Sequence, residues 1–280
     1  MIAAANIRAL RAADIRPLGA VLARAYASPH NFELPLEGYL QRRAAVTFVA
    51  DFGGRPAGIV IGNDYGATAY VSMMGVDPAL QRHGIGRALM SGLLAWARER
   101  RFAAVELDAT PKGAALYAGF GFVEAGATLV YGAAGRGGKC RGVRRCGAAD
   151  RAALLAADRR AFGAERGDVL GPLLESPFNA VFVCGARGAV DGYAVAQPRS
   201  ELLGPVVAPD AEAAARLIDA ARAHLPAGHR LNVPSTNRAA QALLAARGYG
   251  FSRSLAHMLL GTPPRAARER IFARVNLGHG

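Results

Sequence analysis

The chain has few cysteines, few lysines and no apolar stretch long enough to cross a membrane. Its cysteines, Cys140, Cys146 and Cys184, are odd in number and lack the paired spacing of metal ligands, so we expect free thiols in a reducing compartment. Arg, Asp, Gly or Pro interrupts each apolar run within about a dozen residues. No basic leader followed by a long apolar region precedes the first strand-like segment. These absences predict a globular cytoplasmic protein without a membrane partner.

The net charge of +13 comes almost entirely from arginine, because Lys112 and Lys139 are the only lysines. Such a charge indicates either a nucleic-acid surface or attraction for an anionic small molecule. No arginine-aromatic run and no nucleic-acid-binding motif accompanies it. We therefore expect no nucleic-acid partner and no metal, and an anionic cofactor is weakly favoured.

Residues 71–90 are the most informative stretch of the chain. An apolar run ending near Val76 predicts a strand, a turn follows at Asp77-Pro78, and a helical pattern begins at Arg87. Gly84 and Gly86 lie between them, where a main chain without side chains can approach phosphate oxygens closely. The start of the helix adds unpaired amides and the positive end of its dipole.

Two common nucleotide loops do not fit this stretch. A dinucleotide-binding fingerprint requires a third glycine where the chain has Leu89, and a triphosphate loop requires Gly-Lys-Ser/Thr, which is absent. A glycine-containing turn that binds no ligand is the remaining structural alternative.

Two motifs resemble those of the GNAT superfamily of coenzyme A dependent N-acetyltransferases. The first is Gln81-x-x-Gly84-x-Gly86, following a strand that carries Gly75-Val76-Asp77-Pro78, which resembles the family's pyrophosphate loop. The second is Leu-Tyr-x-x-x-Gly-Phe at residues 116–122. The resemblance implies a mixed α/β (α+β) sheet and acetyl-CoA as co-substrate.

The order of predicted elements in the first half recurs in the second. Leu116-Tyr117 matches Leu243-Leu244 at an offset of 127, since 244 minus 117 is 127; Val76 matches Val207 at an offset of 131, since 207 minus 76 is 131. The repeat predicts two tandem GNAT folds, a catalytic domain at 1–134 and a GNAT-like domain at 140–280. The glycine-rich segment at 132–139 fits a linker, and residues 271–276 a closing strand.

The second copy lacks the features that would bind the cofactor. Gln81, Gly84 and Gly86 become Glu212, Ala215 and Leu217, and Tyr117 becomes Leu244. We expect a degenerate fold that supports the first copy.

The resemblance assigns roles to individual residues of the first copy. It implies a catalytic Tyr117 that protonates the departing thiolate, with Asp108 as the candidate general base on the strand shared with Glu106. The family fold implies cofactor contacts from one strand and one loop, namely Met74, Gly75, Val76, Gln81, Arg82, His83, Gly84, Ile85, Gly86 and Arg87. Thr110 occupies the place of an asparagine that often contacts the cofactor arm, so that contact is in doubt.

The sequence predicts an acetyl-CoA dependent N-acetyltransferase that acts on a small primary amine by direct transfer. Three alternatives stay open: a non-catalytic acyl-CoA sensor or scaffold, a protein N-acetyltransferase, and a thiol-pathway enzyme similar to mycothiol synthase. A homodimer is also left open.

Overall fold

The computed structural model describes residues 5–133 and 141–280. Its strands are β1 (Asn6–Ala9), β2 (Ala45–Phe52), β3 (Arg55–Asp64), β4 (Thr68–Val76), β5 (Ala104–Ala109), β6 (Val123–Ala133), β7 (Val143–Arg145), β8 (Ala180–Cys184), β9 (Gly192–Gln197), β10 (Leu202–Val207), β11 (Arg230–Pro234), β12 (Tyr249–Gly261) and β13 (Ile271–Ala273). The helices are α1 (Ile15–Ala25), α2 (Glu33–Gln41), α3 (Ile85–Glu99), α4 (Pro111–Ala118), α5 (Arg151–Phe162), α6 (Gly167–Glu175), α7 (Ala211–Arg222) and α8 (Arg238–Ala246).

Helices cover both faces of the sheet in the first half. Alternate residues of one strand point to opposite faces, so Val60 of β3 packs in the core under α3 while Ile59 and Ile61 pack under α1. In α3 the buried residues recur at helical spacing, at Leu89, Met90, Leu93, Leu94 and Ala97. The mixed α/β sheet predicted from the sequence is confirmed.

Strands from both halves form one continuous sheet in the order β1-β2-β3-β4-β5-β12-β6-β11-β10-β9-β8-β7. The two halves exchange strands at its centre. β12 of the second half pairs with β5 and β6 of the first, and β6 pairs with β11 of the second. The predicted boundary between residues 134 and 140 is therefore not a boundary in the sheet, and the division into two domains stays a prediction.

The second half repeats the local structure of the first. Arg8 donates to Asp14 before α1 at 2.8 Å between Nη2 and Oδ1, and Arg144 donates to Asp150 before α5 at 2.7 Å between the same atoms. The predicted linker begins inside β6, since Gly132 and Ala133 belong to that strand; the rest of it lies outside the described residues.

The predicted closing strand is β13, and it pairs with β10. Beyond it the chain returns to the first half, where the His279 ring stacks on Tyr39. His279 Nε2 lies 3.1 Å from Arg42 Nη1, which can only donate, and Nδ1 lies 2.9 Å from Asn276 Oδ1. The ring is therefore neutral with its proton on Nδ1, and burial lowers the pKa of His279 to about 3.

Candidate active site

A gap between β4 and β5 forms the centre of the site. The two strands pair in parallel from Thr68 with Ala104 to Val71 with Leu107, whereas β4 continues to Val76 and β5 to Ala109. The last residues of both strands therefore diverge. Their main-chain polar groups on the facing edges are available to a third chain or a ligand.

Met74 and Val76 direct their main-chain groups into this gap. Asp77 N donates to Ala57 O of β3 at 2.8 Å. Along an antiparallel pair, successive residues direct their N–H and C=O groups alternately towards and away from the partner strand, so those of Val76 and Met74 point away from β3. In this structure the Tyr26 hydroxyl pairs with the main chain of Met74. It accepts from Met74 N at 3.1 Å and donates to Met74 O at 3.0 Å. Gly75, the remaining predicted contact on β4, faces away and packs against Leu22.

The loop above the gap presents a run of free amides. Within the described part of the chain, none of the N–H groups of residues 82–87 has a hydrogen-bond partner, and the first amide to be paired is Ala88 N, which donates to Gly84 O at 3.0 Å. Because these amides surround the N-terminus of α3, the positive end of the helix dipole coincides with them. The predicted loop residues Arg82, His83, Gly84, Ile85, Gly86 and Arg87 all lie in this run.

The structure requires glycine at positions 84 and 86 of the loop for different reasons. Gly84 has a φ of +77° and open space where a Cβ would be, so the left-handed backbone requires it. A Cβ on Gly86 would lie 3.4 Å from both Leu116 and Met74, so Gly86 allows α3 to approach α4 and β4 closely.

Two side chains of the loop are held by main-chain carbonyls near them. Gln81 Nε2 donates to Val76 O at 3.3 Å and so ties the loop to the end of β4. His83 Nδ1 lies 2.9 Å from Gln81 O, and its ring packs on Phe52. The structure thus gives both side chains a role in shaping the loop.

Tyr117 of α4 lies in the core beneath the gap, with its ring packed edge-on against Phe122. Burial raises the pKa of Tyr117, and the nearby Tyr26 hydroxyl raises it further. The phenol therefore keeps its proton at neutral pH. Thr110, the last predicted cofactor contact, begins α4 instead: its Oγ1 accepts from Gly113 N at 3.3 Å as an N-cap.

Asp108 and Glu106 lie side by side on β5, as alternation predicts, and His257 of β12 bridges them. His257 Nδ1 is 3.1 Å from Asp108 Oδ1, and Nε2 is 3.2 Å from Glu106 Oε2. Glu106 also accepts from both terminal nitrogens of Arg268, at 2.6 and 2.8 Å.

Both carboxyl groups are ionised at neutral pH. Burial by itself would raise the pKa of Asp108, but the positive charge of Arg274 and the hydrogen bonds from His257 and Thr128 outweigh it and lower the pKa. For Glu106 the bonds from Arg268 and His257 outweigh burial in the same way. A carboxylate with a lowered pKa is a weak proton acceptor, so the general-base role of Asp108 stays a prediction.

Comparison with known families decides how these features are interpreted. Residues 15–122 match the model of the acetyltransferase (GNAT) family, and residues 154–273 match a second acetyltransferase (GNAT) domain model. The chain belongs to the GNAT acetyltransferase family. It is a tandem member, and an enzyme by that assignment; GNAT enzymes generally use acetyl-CoA.

Relatives with a known sequence or structure agree with this assignment. The chain is 26% identical over 198 residues to the uncharacterised N-acetyltransferase YitH of Bacillus subtilis. The aligned region covers 66% of this chain and 67% of YitH. A Pyrococcus horikoshii protein assigned as an acetyltransferase superimposes with a TM-score of 0.86 at 22% identity, over 99% of this chain and 96% of that one. A tandem GNAT protein of clavulanic acid biosynthesis has a TM-score of 0.63 at 18% identity, over 94% and 100%. At these identities the two structures show the fold alone.

The second GNAT unit has neither the loop nor the gap. Asp210 caps α7 by accepting from Ala213 N at 2.8 Å, so the helix starts at Ala211 and includes Glu212, Ala215 and Leu217, the counterparts of the loop residues. β13 pairs with β10 and so fills the counterpart of the gap.

Asn237 fixes the end of the chain in that position. At the place equivalent to Thr110, its Nδ2 donates to Glu269 O at 2.9 Å and to Ile271 O at 3.0 Å. The chain's own tail therefore lies where the first unit leaves a gap.

The sequence does not predict that three further side chains lie beside the site. His257, Arg268 and Arg274 lie more than 145 residues from Asp108 along the chain, and only the pairing of β12 with β5 brings them close. Tyr26, whose hydroxyl contacts Met74, also lies outside the motifs that the sequence offers.

No helix within residues 5–133 and 141–280 is both long and apolar enough to cross a bilayer. In the same residues no group of three or more His, Cys, Asp and Glu side chains is arranged to hold a metal ion.

Proposed function

We propose that the first GNAT unit binds acetyl-CoA and transfers the acetyl group directly to the primary amine of a small molecule. The observation that carries the proposal is the run of free amides at residues 82–87 directly above the gap between β4 and β5. Phosphate oxygens match the amides, and an extended pantetheine arm matches the edge of β4 at Met74 and Val76. The second unit has neither feature.

Acetyl-CoA supplies an activated thioester, and residues of this chain provide what the transfer needs. Met74 N is the donor closest to the gap and supports a carbonyl oxygen once the Tyr26 hydroxyl leaves it. Tyr117, which keeps its proton at neutral pH, donates that proton to the leaving thiolate. Asp108 Oδ2 is buried and has no hydrogen-bond partner among the described residues, so it is free to hold the incoming amine.

A small acceptor is favoured by the space beside Asp108. A cavity of about 360 Å³ is lined by His257, Arg268 and Arg274, which belong to the cluster around Asp108 and Glu106. This volume lies at the lower end of the range for small-molecule sites. A cavity of that size favours a metabolite over an extended peptide.

Titration with acetyl-CoA tests the binding site. Gly84→Glu adds a carboxylate and a strained backbone to the amide run, so we expect saturable binding in the natural protein and at least 100-fold weaker binding in the variant. Gly66→Glu is the matched control, because Gly66 has a φ of +79° and open space around its Cβ position but lies in the turn before β4. Equal affinity of both variants would refute the site assignment.

Release of free thiol with a panel of primary amines tests the activity. We expect release that depends on the amine. Tight binding of acetyl-CoA without amine-dependent release would instead favour the acyl-CoA sensor.

A further inference from the structure

The cavity beside Asp108 has a strongly basic wall. Its floor is formed by β12 and β6, and the segment at 263–274 closes it. Arg265, Arg268, Arg274 and His257 contribute to the lining, and none of the lining side chains is acidic. The wall therefore faces the cavity with cationic and apolar groups.

Arg268 and His257 already have carboxylate partners. Arg268 forms a two-pronged ion pair with Glu106, and His257 lies between Glu106 and Asp108. Both carboxylates point away from the cavity, since Asp108 and Glu106 side chains are 0% and 1% exposed.

Arg274 lies near enough to Asp108 to lower the pKa of that carboxyl, but its guanidinium does not form an ion pair with it. It is 7% exposed, and its Nε is buried without a hydrogen-bond partner. No ion pair of its guanidinium occurs within residues 5–133 and 141–280. A buried arginine is costly unless an anion is near, and a planar guanidinium matches a carboxylate with two parallel hydrogen bonds.

The cavity and the reacting end of the site meet at Asp108. This residue follows Leu107, the last residue of β5 that pairs with β4, and its Oδ1 contacts His257 of the cavity wall. The Tyr70 hydroxyl of β4 and Asp108 Oδ2 are both buried without partners. His257 of the cavity wall is therefore in contact with the residue that follows the last pair of β4 and β5.

We propose that this cavity binds the acceptor, and that the acceptor carries a carboxylate, held by Arg274, in addition to the amine that is acetylated. The inference rests on the proposed function, because it names the class of amine that the first unit acetylates. An amino acid or a related amino carboxylate has this pairing of charges.

The inference is tested on the full chain with pairs of acceptors that differ only in having a carboxylate or its amide. Thiol release from acetyl-CoA is measured with amino acids, with ω-amino acids such as β-alanine, and with the carboxamide of each. We expect kcat/KM for the favoured carboxylate to exceed that for its amide by about 10- to 100-fold. Arg274→Gln should remove this preference. Arg265→Gln, a change of the same kind at an exposed position of the lining, should retain the preference.

Inhibition of the natural protein gives a second measurement that needs no variant. Simple carboxylic acids that lack the amine, such as propionate and succinate, should compete with the acceptor, whereas their amides should not. Arg274→Lys keeps the buried charge and should retain part of the preference if Arg274→Gln does not fold.

The outcomes separate the inference from the proposed function. Amine-dependent thiol release without a preference for carboxylates, or a preference that survives Arg274→Gln, overturns the inference alone. Binding of acetyl-CoA with no release for any amine overturns the proposed function and the inference together.

Discussion

Tyr117 is the side chain whose chemistry depends most on its surroundings. Its ring lies in the core with Phe122 and Leu107, and burial raises its pKa. Within the described residues its hydroxyl has no hydrogen-bond partner, so removing the oxygen leaves no unsatisfied group behind. The residue can therefore be changed to phenylalanine with little disturbance of the fold.

Tyr117→Phe should lower the rate of thiol release by about 100-fold, because a positioned proton donor contributes at least that factor. The dissociation constant for acetyl-CoA should stay within about twofold. Tyr249→Phe serves as the control: Tyr249 is equally buried but bonds His229 in the second unit, at 2.9 Å. An unchanged rate for Tyr117→Phe would remove its role as the acid.

Tyr26 also acts at the scale of a single residue. Its hydroxyl fills the hydrogen-bonding positions of Met74 N and O on the open edge of β4. The contact therefore gives both main-chain groups of Met74 a partner in the free protein. In the proposed reaction the carbonyl of the thioester would replace the hydroxyl at the same N–H.

At the scale of elements, the equivalent caps of α4 and α8 show how the two units diverged. Thr110 caps α4 with one hydrogen bond to Gly113 N. Asn237 caps α8 through Ala240 N and, with its amide, also binds the segment that leads into β13. An asparagine can do both because its side chain has an acceptor and two donors.

Substituting these two caps should separate the contribution of the tail. Thr110→Ala should lower the free energy of unfolding by about 1 kcal/mol through loss of the cap. Asn237→Ala should lower it by about 3 kcal/mol, because two further hydrogen bonds to buried carbonyls are lost. Urea denaturation of both variants at pH 7 measures the difference, and equal losses would contradict the anchoring role of Asn237.

At the scale of the whole molecule, the exchanged strands join the two units. β12 lies between β5 and β6, and β6 lies between β12 and β11. Neither unit can unfold without exposing the edges of a strand that belongs to the other. Tandem domains joined only by a linker lack this constraint.

Unfolding should therefore be a single cooperative transition despite the length of 280 residues. Calorimetry should give a van't Hoff enthalpy close to the calorimetric enthalpy, and far-UV and near-UV signals should change together. Two resolved transitions would show that the units unfold separately. Acetyl-CoA should shift the whole transition to higher temperature, since it binds only the folded state.

The sequence by itself determined the features that depend on neighbouring residues. The loop at 81–86 and the motif at 116–122 are each contiguous, and local backbone preferences set them. The repeat was visible because each unit keeps the same order of local patterns. The family and the fold class followed from these features.

Only the tertiary structure decided which residues from distant parts of the chain meet. Strand exchange leaves no trace in hydrophobic alternation, because the sequences of β6 and β12 predict strands whichever partner they have. The meeting of Asp108 with His257 and Arg268 depends on that exchange. The same holds for the tail, whose strand β13 fills the second unit's gap only after the sheet has formed.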